Sequence, residues 1–313
     1  MNHRTYNNIQ DLHAMLDLLA AGRKANNDTY YVHRGDLQWW LFYNDDVTEE
    51  WKSRVRLWMD GERLIGWSLL SPFAWHAFDV YAEPSLRGTD LEREMLAWAV
   101  EQLAAGETTQ TVWVAEEDDF RVGWLTENGF SPREGFMHLL KRSLSELGAR
   151  TSVRPGSGLK SALLEKGFYV RSSRGPADAS ARAMASHAAF GSSMPIEDYT
   201  ARTLRFMQSP VYVNEHELFI VSPTEEVAAF CCIWTDDLNR MGYFEPVGVH
   251  PNYQRRGLGR KMLLEGLTRL QSEGMTEASV CAESANPAAI RLYESVGFQK
   301  VKRLLTFRKG KTS

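Results

Sequence analysis

The sequence predicts an α/β protein made of two tandem copies of one fold, the first of them degenerate. Three observations carry this expectation. The chain has 313 residues, more than one ordinary compact domain holds, so two domains are expected. Two long segments repeat the same order of parts. In each copy a strand runs through a turn into an amphipathic helix, and in the second copy that turn carries Gly257 and Gly259.

The repeat is read without a gap. Phe78 to Leu96 lies over Glu245 to Leu263, so that Pro84 meets Pro251 and Met95-Leu96 meets Met262-Leu263. Further on, Trp124 to Phe130 lies over Leu292 to Phe298 at an offset one residue different. Helix periodicity opens both copies, at Leu12, Met15, Leu16 and Leu19 and at Ala181, Met184, Ala185 and Ala188. Strands are expected at 63–70 and 75–81 in the first copy, and at 217–221, 227–234 and 243–249 in the second. A helix from about Gly259 to Glu273, a strand at 277–282 and a helix from Pro287 to Ser295 follow. Asn286 suits the N-cap of that last helix, Pro287 its first turn and Gly297 its left-handed C-terminal cap. Each copy ends in an apolar-basic strand, Met137 to Lys141 and Leu304 to Arg308. Gly148, Pro155, Gly156 and Gly158 mark the connection. The expected division is a degenerate domain at 1–143, a linker at 144–163 and an intact domain at 164–313.

Composition narrows the function. Lys and Arg number 36 against 40 Asp and Glu, a net charge of −4 that gives no electrostatic reason to expect nucleic acid or an anionic membrane as partner. No apolar run reaches the roughly 18 residues that span a bilayer. Met1 to Asp11 lacks the build of a signal peptide, so a cytoplasmic location is expected. Cys231, Cys232 and Cys281 have neither disulfide nor zinc spacing and read as small apolar strand residues; no metal is expected.

The strongest local signal is Gln254-Arg-Arg-Gly-Leu-Gly259. Strand, glycine turn and helix N-terminus together make an anion site, because backbone amides converge there and the helix dipole adds partial positive charge. Arg255, Arg256 and Arg260 add charge around it. A dinucleotide fingerprint would need a glycine where Met262 stands, and the Gly-Lys-Ser/Thr of a P-loop is absent.

Val247-x-Val249-x-Pro251-x-x-Gln254-x-x-Gly257-x-Gly259 resembles the coenzyme A signature of the GNAT N-acetyltransferase superfamily. Asn286 to Phe298 resembles its second motif. The resemblance implies two tandem acyl-CoA N-acyltransferase folds, each a bent mixed sheet with helices on both faces and two strands splayed around a pantetheine arm. It implies contacts to acetyl-CoA from Val247, Gly248, Val249, Gln254, Arg255, Arg256, Gly257, Leu258, Gly259, Arg260, Asn286 and Ala289. Glu245, two residues before Val247 and so expected on its face, is the candidate general base. A competing role is structural pairing with an arginine. Tyr293 is the candidate donor to the departing thiolate, or a core residue; a strand amide near Val249 would serve the developing oxyanion. The expected reaction is acetyl transfer to a primary amine by direct attack in a ternary complex, the acceptor being a small molecule or peptide. The alternative is a coenzyme A-binding sensor or scaffold without turnover. A monomer with an internal pseudo-dimer is expected.

The first copy has Arg87, Asp90 and Glu92 in place of Gln254, Gly257 and Gly259, and Asp118 and Leu125 in place of Asn286 and Tyr293. Charge repulsion and lost backbone access are expected to exclude the coenzyme there. Nine of the ten tryptophans lie between Trp39 and Trp124, either as packing or as an aromatic wall for the acceptor.

Overall fold

A computed structural model describes residues 2–25, 32–44, 48–73, 75–104, 110–145 and 164–310. The expected linker falls almost wholly on 146–163, outside the described residues. The chain divides into two compact units, Met1–His138 with Lys302–Ser313, and Leu139–Val301. They do not follow the sequential division at their ends: the last strand groups with the first unit, and residues from Leu139 group with the second.

Unit 1 opens with β1 (Asn2–Thr5), α1 (Ile9–Ala25) and α2 (Arg34–Phe42). The antiparallel strands β2 (Val55–Asp60), β3 (Arg63–Phe73) and β4 (His76–Ala82) join β1 in the order β1-β2-β3-β4. Then come α3 (Asp90–Ala104), β5 (Gln110–Ala115), α4 (Asp119–Glu127) and the first part of β6 (Ser131–Ser143). The C-terminal strand β12 (Gln299–Lys309) lies antiparallel to β5, Leu304 opposite Ala115 and Phe307 opposite Val112. Six tryptophans, Trp40, Trp51, Trp58, Trp67, Trp98 and Trp124, are buried. Most of the tryptophan run is therefore packing, as the content of a core made from large flat rings requires.

Unit 2 contains β7 (Tyr169–Ser172), α5 (Ala179–Phe190), α6 (Ile196–Met207), β8 (Glu217–Val221), β9 (Val227–Asp236) and β10 (Met241–Val249). After β10 come α7 (Leu258–Ser272), β11 (Glu277–Glu283) and α8 (Pro287–Ser295). Its sheet runs from the end of β6 through β11, β10, β9 and β8 to β7. β9 is buried along its whole length, so both its faces are covered. Leu218, Ile220, Cys231, Ile233 and Phe244 meet Met262, Leu263, Leu267 and Leu270 in one core. The helix approaches closely because Gly266 stands where a Cβ would lie 2.4 Å from the Phe244 ring. Cys231 pairs across to Leu218 and Cys232 to Glu217, so the neighbouring thiols alternate faces, both buried.

Candidate active site

The site begins where two strands separate. β10 runs parallel to β11 at Met241, Gly242 and Tyr243, opposite Glu277, Ala278 and Ser279. Beyond Tyr243 the two strands form no further pairs, although β10 continues to Val249 and β11 to Glu283. An open edge of β10 thus faces the gap.

The parting coincides with a bulge. On the β9 side Phe244 pairs with Ile233, but the next pair is Val247 with Cys231. Two residues of β10, Glu245 and Pro246, therefore stand opposite one of β9, Cys232. This corrects the expectation that Glu245 shares the face of Val247. Ile233 and Cys231 lie two apart on one face, so their partners Phe244 and Val247 share the core side; the bulge takes Glu245 out of that alternation. The signal was present in the sequence, since proline cannot donate to a ladder and marks a bulge in a central strand. Glu245 is half-buried. Its carbonyl accepts a hydrogen bond from the Trp234 indole Nε1 at 2.8 Å. Trp234 is itself buried and meets Phe206 edge to face at 5.9 Å. This anchor was not legible beforehand.

β10 leads through a 3-10 turn at Pro251–Tyr253 to the glycine loop. The Gln254 side chain reaches back, its Nε2 donating to the Val249 carbonyl at 3.2 Å. Arg255 and Gly257 both have left-handed backbones, φ 65° and 73°. Residues of that hand alternating with ordinary ones turn successive amides toward one concavity, which suits an anion. Lys261 makes the first helical bond, to the Gly257 carbonyl. Among the described residues, the six amides from Arg255 through Arg260 donate to no backbone or side-chain acceptor. The first amides of any helix lack intrahelical partners, and no side chain caps α7.

The two glycines do different work. A Cβ on Gly257 would meet nothing, so that glycine serves its φ and keeps the loop open. A Cβ on Gly259 would lie 3.0 Å from Leu292 and 3.3 Å from Val249, so that glycine serves the packing of α7 on α8 and β10. The arginines also divide. Arg255 and Arg260 are exposed. Arg256 is turned away: its Nε donates to Glu165 at 3.1 Å, and the guanidinium lies 4.8 Å over the Phe168 ring.

On the other wall, α8 starts as expected. Asn286 Oδ1 accepts from the Ala289 amide at 3.0 Å, and Gly297 ends the helix at φ 91°. Tyr293 is buried. Burial pushes its phenol well above the ordinary value, and the neighbouring Glu245 carboxylate adds to the rise. Tyr293 is thus a permanent hydrogen-bond donor at ordinary pH. Glu245 and Tyr293 are brought into electrostatic reach of each other, with the half-buried Cys281 beside them. Burial also pushes the Cys231 and Cys232 thiols up, which keeps them protonated and unreactive.

The arrangement offers an anion cradle, an open strand edge, a carboxylate at a bulge and a neutral phenol. No group of three or more His, Cys, Asp or Glu side chains among the described residues could hold a metal ion. No helix among them is long and apolar enough to cross a membrane.

Comparison with known proteins gives the same direction. Residues 186–298 match the acetyltransferase (GNAT) family. A mycothiol acetyltransferase of Thermobispora bispora is 26% identical over 257 residues, covering 79% of this chain and 81% of that relative. One of Nocardia farcinica is 30% identical over 139 residues, 42% of this chain and 45% of that relative. In structure, a tandem GNAT protein from the clavulanic acid biosynthesis pathway superposes with a TM-score of 0.69 at 14% identity, covering 100% of this chain and 99% of that one. A GCN5-related N-acetyltransferase from Sphaerobacter thermophilus gives 0.61 at 18%, covering 98% and 95%. Both superpositions establish fold.

Proposed function

We propose that the chain is a tandem acetyltransferase of the GNAT family, a reading supported by the match at residues 186–298 and by the mycothiol acetyltransferase relatives, and that unit 2 moves an acetyl group from acetyl-CoA to a primary amine. The single observation that carries this reading is the run of six unengaged amides, Arg255 to Arg260, at the mouth of a strand gap. They fit the oxygens of a diphosphate; the open edge at Val247, Gly248 and Val249 fits the amides of a pantetheine arm. Leu258 and Gly259 contribute their backbones at the helix start, Arg255 and Arg260 their charge, and Asn286 and Ala289 close the far wall. The Arg256 side chain, held by Glu165, contributes its amide.

Glu245 receives the proton as the amine nitrogen bonds to the acyl carbon. The carbon–sulfur bond breaks, and the Tyr293 phenol donates a hydrogen bond to the leaving sulfur. Its raised pKa supports the role, since a donor must keep its proton. The acceptor is proposed to be a small molecule. The relatives named for mycothiol acetylation support that class.

The experiment is titration of acetyl-CoA into the wild-type protein and into Gly257→Glu, followed by a thiol-release assay over a panel of amines. The variant is expected to lose binding, because a carboxylate enters the cradle and a side chain is forced to a left-handed φ. Equal binding by both proteins sinks the assigned loop. Binding by the wild type without thiol release from any amine would favour a sensor over an enzyme.

A further inference from the structure

Unit 1 carries two side chains where unit 2 has almost none. In the internal alignment Glu92 takes the place of Gly259, and Arg121 that of Ala289. The correspondence holds in the fold. Asp118 Oδ1 accepts from the Arg121 amide at 3.0 Å, as Asn286 Oδ1 accepts from that of Ala289 at 3.0 Å. The two added side chains pair with each other: Arg121 donates from Nε and Nη2 to Glu92 Oε1 at 2.8 and 2.7 Å. Glu92 is 1% and Arg121 12% exposed at the side chain, which places the ion pair inside the unit.

The pair also takes two backbone groups. Glu92 Oε2 accepts from the Gly88 amide at 2.7 Å. Gly88, at φ 73°, stands where Arg255 opens the run of unengaged amides in unit 2. Arg121 Nη2 donates in addition to the Val80 carbonyl at 2.7 Å. Val80 stands where Val247 lies on the open edge. Among the described residues β4 has a ladder with β3 and none with β5, so unit 1 also has parted strands at this place.

We infer that unit 1 is closed to a coenzyme by its own side chains. The Arg121–Glu92 pair engages the strand carbonyl and the loop amide that correspond to the coenzyme-binding groups of unit 2, so each chain binds one acyl-CoA. This rests on the reading of unit 2 given above. A helix cap alone does not account for the pair. Thr89-x-x-Glu92 has the spacing of a capping box, but a cap needs neither the arginine nor the carbonyl of β4. Of the two reasons expected from the sequence, repulsion does not apply to Glu92, whose charge is paired with Arg121 within the unit, while lost backbone access takes the form of an occupied Gly88 amide.

Amide hydrogen exchange of the whole protein with and without coenzyme A tests this. Slowing is expected across 255–260 and none across 86–92. Slowing across 86–92 overturns the inference, whereas no slowing at 255–260 counts against the coenzyme site of unit 2 instead. A second arm compares Glu92→Gln, which keeps the side-chain shape, and Arg121→Met. Each is expected to speed exchange at Gly88 roughly tenfold, as loss of a charge-assisted hydrogen bond should. Unchanged exchange in both variants means that the pair does not hold the loop.

Discussion

Glu245 owes its position to a hydrogen bond that its side chain does not make. The bulge at Glu245-Pro246 breaks the ladder, and the Trp234 indole donates to the carbonyl left there. Two substitutions separate the base from its support. Glu245→Gln keeps the carbonyl and the indole bond but cannot take a proton, so kcat should fall about 10²- to 10⁴-fold with the KM for acetyl-CoA unchanged. The part of the low-pH loss that Glu245 contributes should go with it, leaving the part set by protonation of the acceptor amine itself. Tyr293 adds no fall at high pH in the usual range, since burial holds its phenol above the ordinary value of about 10. Trp234→Phe keeps most of the ring and removes the donor. It should cost about 1–3 kcal/mol of stability and lower kcat less than the glutamine variant does, while the pH profile keeps its acidic limb. Denaturant melts and pH-rate profiles of both variants measure this; a Trp234→Phe protein with wild-type stability and rate would show that the bulge needs no anchor. At this scale the sequence named Glu245 and Tyr293 but misplaced the first. Two-residue alternation is a rule for regular strands, and Pro246 was the sign that this one is not regular. A contact such as Trp234 to Glu245, across two strands, leaves no local pattern to read.

At the scale of elements, capping chemistry was the most legible feature. Asn286, Pro287 and Gly297 bound a helix expected at 287–295, and α8 occupies those residues. The motif loop was legible as an anion site, but not the division of labour within it, because φ at Arg255 and the neighbours of Gly259 depend on packing. α2 and α6 went unread, although Pro195, Glu197 and Asp198 form an acidic helix start for α6. The two glycines give a direct test. Gly257→Ala adds a methyl to open space and should cost only the left-handed φ, about 1–2 kcal/mol. Gly257→Asn should cost less, since asparagine tolerates that region. Gly259→Ala instead drives a methyl against Leu292 and Val249 and should cost about 1–3 kcal/mol, with asparagine worse than alanine. Chemical denaturation of the four variants, Gly259→Asn being the fourth, reads the ranking. If asparagine is the worse residue at both positions, the φ argument for Gly257 is wrong.

For the whole molecule, the duplication was legible because the order of parts repeats, while the membership of the units was not. β6 and β12 both end a copy with the same apolar-basic pattern, so local sequence assigns each to the copy before it. Pairing decides otherwise for the last strand: Leu304 to Lys309 lies against Ala115 to Gln110, and Phe307 is buried in the same core as Val112, Val114, Phe130 and Trp124. Unit 1 should therefore depend on the end of the chain. Removing residues 302–313 takes away the buried Leu304 and Phe307, about 1.5–3 kcal/mol each, from a unit whose total stability is about 5–15 kcal/mol. The tryptophans make the outcome visible, since nine of the ten belong to residues 39–124. Fluorescence-monitored urea unfolding of the truncated protein should show the tryptophan transition moved to lower urea by an amount equivalent to about 3–6 kcal/mol. A tryptophan transition at the wild-type midpoint would mean that the C-terminal strand adds nothing to unit 1, and the sequential division of the chain would stand in its place.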